Sequence, residues 1–121
     1  MADAAALIVH PDGRVDEVDL ASTPSTLKLF YEQLECTDVD VVRLTDSVDM
    51  WLDGEGLITG RALNVAATLL ARLYGLTHQG YVGPCLLCRV DDDGDSVNLT
   101  ADQVTAFRAK LDDIIRLYVR R

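Results

Sequence analysis

Two histidines, three cysteines and three prolines are all that this chain of 121 residues holds of those types, and the scarcity narrows its chemistry. A structural zinc site needs four ligands, and Cys36, His10 and His78 offer no pair at knuckle spacing to complete one with Cys85 and Cys88. No apolar run approaches the roughly 18 residues of a membrane span. Met1-Ala2-Asp3 also lacks the basic start of a secretory signal, so a cytoplasmic protein with no membrane association is expected. Positive charge is short: 11 Lys and Arg stand against 20 Asp and Glu, for a formal charge of -9. Binding to a nucleic-acid backbone rests on Lys and Arg displacing counterions, and a surface this acidic excludes that mode. There is no phosphate-binding glycine loop, no dinucleotide fingerprint and no nucleophile motif beside either histidine. The expectation is a protein that is not an enzyme and carries no cofactor and no metal.

What the chain does have is the composition of a folded domain, 49% apolar and 26% charged, at a length suited to one hydrophobic core. An apolar run over residues 4–9 stops at Pro11-Asp12-Gly13, and Val15, Val18 and Leu20 follow, the pattern of an N-terminal β-hairpin. Ser22-Thr23 before Pro24 predicts a capped helix over residues 24–35. Strands are expected at residues 39–44 and 48–52, then an Asp53-Gly54-Glu55-Gly56 turn from which Leu57 and Ile58 finish a hairpin. Asn64 predicts the N-cap of a second helix that Gly75 ends. Residues 81–90 read as the most apolar strand, followed by an acidic turn and a short strand at 96–99. Thr100 and Gln103 form a capping box for a long final helix. This order defines an α+β fold: a single domain with a mostly antiparallel sheet, an N-terminal hairpin, two covering helices and a long C-terminal helix.

The hairpin Leu7-Ile8-Val9-His10-Pro11-Asp12-Gly13, the Asp53 to Gly56 turn, the Asn64-x-x-Ala67-Thr68 helix start and the strand entry Gly80-Tyr81-Val82-Gly83-Pro84 occur in that order. Together they resemble a family of small proteins common in phages and actinobacterial mobile elements and catalogued as a domain of unknown function. The resemblance covers a core over residues 4–102, leaves residues 103–121 as an appended helix and implies no activity.

Among individual groups, Cys85 and Cys88 are spaced like a zinc or redox pair, but on a strand residues three apart face opposite ways, so buried reduced thiols are expected. Asp91-Asp92-Asp93-Gly94-Asp95 departs from a calcium loop at the later ligand positions and reads as a solvated turn. Arg61, Asn64 and Thr68 share a face if the second helix reaches back to Arg61, and with Glu55 nearby they form a candidate ligand site for a nucleotide or other anion. The plainer alternative is a cap, a helix threonine and a surface arginine.

Arg108, Lys110, Arg116, Arg120 and Arg121 crowd the last 14 residues, whereas residues 1–53 have only Arg14, Lys28 and Arg43 as bases. Val104, Phe107, Leu111, Ile114, Ile115 and Tyr118 form an apolar stripe on the final helix. These features predict a homodimer interface, with the basic side chains facing a neighbour's acidic body. The functional expectation is a small accessory protein acting by binding an unidentified protein partner, with anion binding or DNA mimicry as alternatives.

Overall fold

The computed structural model describes residues 3–120, which form a sheet covered on both faces. The elements run β1 (Asp3–Val9), β2 (Val15–Val18), a 3-10 turn (Leu20–Ser22), α1 (Thr26–Gln33), β3 (Val39–Arg43) and β4 (Val48–Asp53). They continue with α2 (Val65–Leu73), β5 (Cys85–Val90), β6 (Ser96–Val97), β7 (Leu99–Thr100), α3 (Ala101–Ile114) and a π-helical turn (Ile115–Val119). The sheet order is β2-β1-β5-β4-β3, with β6 paired to β5 and β7 to β1. Among the described residues every strand pairing is antiparallel. The expected α+β fold with its N-terminal hairpin is therefore present. No described helix is long and apolar enough to cross a membrane.

Strand alternation divides the core in two. Leu7, Val9, Met50, Cys85 and Leu87 face α2 and α3, while Ala6, Ile8, Leu86 and Cys88 face α1 and the 3-10 turn through Phe30, Leu34 and Leu20. Cys85 and Cys88 thus occupy opposite faces of β5, and a shared metal ion or disulfide is sterically closed to them. Phe30 also packs on Trp51, ring centroids 4.9 Å apart.

Several boundaries move. Ser25, rather than Ser22 or Thr23, caps α1 by accepting a hydrogen bond from the Lys28 amide at 3.2 Å. The short strand at 96–99 is two strands broken at Asn98, whose buried side chain accepts from the Leu20 amide and donates to Asp19, both at 2.8 Å. The capping box on α3 is formed as expected.

The larger correction concerns α3. Val104, Phe107, Leu111, Ile114 and Ile115 are buried against the chain's own sheet and α2, so the stripe read as an interface is core. One sheet face is wide enough to need both α2 and α3, which consumes the apolar surface expected for a second copy. Tyr118, 56% exposed, is the stripe member left at the surface. The basic residues expected to face a neighbour also turn to this chain: Arg108 pairs with Glu17 and Arg116 with Asp113, each at 2.9 Å. Lys110 stands over the Tyr74 ring.

Burial pushes the Cys85 thiol up to about 12 and the Cys88 thiol up to about 11. A thiol-specific reagent at mildly alkaline pH should label Cys36 alone in the native protein and all three cysteines after unfolding. The unfolded chain loses its thiol protons near the ordinary value of 9.0, before the folded chain does. Stability should therefore hold below pH 9 and fall as pH rises through 11 to 12. Rapid native labelling of Cys85 or Cys88 would contradict this packing.

Candidate functional site

The chemically distinct part of the surface is the loop joining β4 to α2, and its geometry starts at Asn64. Asn64 has an extended backbone and caps α2 by accepting from the Ala67 amide at 3.0 Å. Its side-chain amide does more, donating to the carbonyls of Val9 at 2.8 Å and Gly83 at 2.9 Å, and the residue is 0% exposed. Its own backbone N–H donates to the Tyr81 carbonyl at 2.8 Å. One turn on, the Thr68 hydroxyl accepts from the Tyr81 amide at 2.9 Å. Asn64 and Thr68 therefore stitch β1, α2 and the approach to β5 together from inside the core. Thr68 bonds across to Tyr81 rather than back along its own turn.

Arg61 sits elsewhere. Helix α2 starts at Val65, so Arg61 lies in the loop, and its side chain turns toward α1. Nη1 donates to the Leu34 carbonyl at 2.7 Å, the Glu35 carbonyl at 3.1 Å and Asp53 Oδ2 at 3.0 Å. The Arg61 side chain is 19% exposed. Glu35 has a φ of 53°, a left-handed conformation that costs a non-glycine residue about 1 kcal/mol or more. Cys36 closes this helix end by donating to the Tyr31 carbonyl at 3.1 Å, and Arg61 fixes the strained carbonyl from outside. Gly83, at a φ of 72°, makes room for that side chain, because a Cβ there would stand 2.9 Å from Arg61 Nε.

The same charges brace the loop itself. Asp53 Oδ1 accepts from the Glu55 amide at 2.9 Å, and the Gly54 amide donates to the Asp38 backbone carbonyl at 2.8 Å. The Thr59 and Arg61 amides donate to the carbonyls of Glu55 and Gly56, each at 2.9 Å. Leu57 and Ile58, expected to finish a hairpin, instead form the tip of this closed loop and are 74% and 86% exposed. Among the described residues no strand lies beside them, because β4 is already flanked by β3 on one side and β5 on the other.

The candidate ligand set therefore splits. Glu55 and Arg61 line an open cleft of about 380 Å³ with Glu35, Cys36, Asp53 and Thr59, while Asn64 and Thr68 face the interior. The cleft holds three carboxylates, Glu35, Asp53 and Glu55, around one guanidinium that is already committed, so its charge opposes an anion there. Burial, then the Asp53 carboxylate, holds the Cys36 thiol above its ordinary range, unlike an activated nucleophile. At the far end of the sheet, Asp91, Asp93 and Asp95 have carboxylate oxygens within 4.8 Å of one another. The Asp93 and Asp95 amides donate to Asp91, which accounts for the turn without a ligand.

These features define a small α+β protein whose distinctive element is a braced surface loop rather than an enclosed pocket. A family model described as a domain of unknown function (DUF3846) matches residues 4–112, and the chain belongs to that family. The match passes the expected core boundary at Asp102 and takes in most of α3, in keeping with that helix's place in the core. No curated protein and no solved structure matches the chain.

Replacing Asn64 with Ala removes a cap and takes the amide donor from two buried carbonyls, an expected loss of about 2 to 4 kcal/mol in urea unfolding. Asn64→Asp keeps the cap acceptor but turns a carboxylate on the Val9 and Gly83 carbonyls, so it should destabilise at least as much. Recovery of wild-type stability by Asp would reduce Asn64 to a simple cap. Arg61→Ala, which leaves Asp53 and two carbonyls without their donor, should cost about 2 to 4 kcal/mol and open residues 54–60 to limited proteolysis. A resistant loop in that variant would show that Arg61 does not brace it.

Proposed function

We propose that this protein is a non-enzymatic accessory protein that acts by holding a macromolecular partner, with Leu57 and Ile58 as the anchor. One observation carries the reading: two large apolar side chains project from a loop whose backbone is tied at Asp53, Glu55, Thr59 and Arg61. Isolated exposed apolar residues are ordinary. An adjacent pair on a braced loop differs, because a partner that buries it gains about 1.5 to 3 kcal/mol per side chain and spends little on ordering the loop.

The surroundings specify the partner's chemistry. Glu35 and Glu55 flank the loop on the cleft side, and Asp40 shares a small hollow with Leu57 on the other. An apolar socket rimmed by basic groups on a host or phage protein complements that arrangement. The resemblance to proteins of phages and mobile elements suits such a role, and the acidic charge suits fast, salt-dependent association.

The test is affinity capture of the tagged protein from its host, with mass spectrometry of proteins and small molecules, beside a Leu57→Asp/Ile58→Asp variant. A protein retained by the wild type and depleted at least tenfold by the variant is the expected result. Equal retention by both would contradict the anchor. A nucleotide co-purifying with the wild type and lost from Arg61→Ala would favour ligand binding at the cleft instead.

A further inference from the structure

On an acidic chain the least expected surface is a groove of about 550 Å³ between the β1–β2 hairpin turn and the C-terminal helical segment. Four guanidiniums line it, Arg14 from the hairpin, Arg108 from α3, and Arg116 and Arg120 from the terminal turn, against the single lining carboxylate of Asp112. Its apolar floor is Val15 and Ile115. The walls are held at a fixed spacing by Gly13, whose φ of 91° no ordinary side chain favours and whose Cβ would stand 3.1 Å from Val119 Cγ1 and 3.3 Å from Arg120 Nε.

The partners of these arginines leave capacity for a ligand. Arg14 pairs with Asp16 at 3.2 Å and stands 3.3 Å from the His10 ring, Arg108 pairs with Glu17, and Arg116 with Asp113. These pairs are solvent-accessible, of a kind worth little individually and readily exchanged. Arg120 is in no ion pair among the described residues, although the hairpin-turn carboxylate of Asp12 lies near enough to be held below its ordinary range by the Arg14 amide first and, more weakly, by Arg14, His10 and Arg120. Each guanidinium presents five N–H donors in a planar fork matched to phosphate oxygens.

We propose that this groove binds a compact polyanion of the oligophosphate class, either an inorganic oligophosphate or the phosphate chain of a nucleotide. Compactness follows from the electrostatics. Asp16, Glu17 and Asp113 stand around the arginines, and the whole chain carries -9, so a long polyanion such as nucleic acid or an acidic peptide meets repulsion beyond the groove. A short oligophosphate concentrates several charges within reach of all four guanidiniums and leaves the acidic body untouched.

The probe is inorganic tripolyphosphate, titrated calorimetrically into the full chain at constant ionic strength, with ATP in a parallel arm to separate the two sources. Saturable one-to-one binding is expected, at least tenfold weaker in Arg14→Gln/Arg120→Gln and unchanged in Lys28→Gln, an exposed position remote from the groove. Tighter binding of ATP than of tripolyphosphate assigns a nucleotide, and equal binding an inorganic oligophosphate; both support the class. Should the double variant fail to fold by circular dichroism, Arg116→Gln carries the same test with an expected loss of at least threefold. No saturable binding at millimolar tripolyphosphate, equal binding by the folded variant, or tighter binding of hexaglutamate would overturn the proposal.

Discussion

The side chain of Asn64 is the point on which the arrangement of this protein depends. Three hydrogen bonds from one amide join the end of β1, the start of α2 and the turn that enters β5, segments separated by 55 and 19 residues in the chain. The Gly83 carbonyl has only the weak Cys85 thiol donor beside the Asn64 amide, at 3.6 Å, and unsatisfied polar groups in a dry interior are expensive. With α2 fixed there, the loop that precedes it has a defined end. Asp53 at the close of β4 supplies the other end, and Arg61 reaches from the loop to the far layer at α1. The loop between these fixed points is short and internally hydrogen-bonded, which is how two apolar side chains come to stand in water on a rigid base.

The elements legible in the sequence are those governed by local rules. The Pro11-Asp12-Gly13 hairpin, the Asn64 cap, the Gly75 stop and the Thr100–Gln103 capping box each depend on residues within one turn, and the structure places all four as read. The opposed faces of Cys85 and Cys88 follow from strand geometry alone. What escaped depends on distance. Nothing near Arg61 signals that its partners are the carbonyls of Leu34 and Glu35, and its spacing from Asn64 and Thr68 suggests a shared helix that Asn64's capping conformation forbids. The stripe on α3 is apolar as its spacing indicates, but it packs on the chain's own sheet, because a sequence does not state how much sheet must be covered.

Two regions of unlike chemistry result. One is the apolar loop tip set among carboxylates; the other is the arginine-lined groove beside the C-terminal segment. They draw on different parts of the chain, the loop on β4 and α2 and the groove on the hairpin and α3, so a substitution in one leaves the other's supporting contacts in place. In the two roles proposed above, the acidic balance of the chain acts as a filter: it favours a partner with basic groups around its socket for the loop and a compact anion for the groove.

The hydrogen bonds around residues 54–60 hold that loop in one conformation although its tip is in solvent. Backbone amide relaxation by NMR measures this directly. Order parameters for these residues should lie close to those of the strands, about 0.8 or higher, where values below about 0.6 denote flexible backbone on the picosecond to nanosecond scale. Values in that lower range at Leu57 and Ile58 would contradict it, leaving two exposed side chains on a mobile loop with no preorganised anchor.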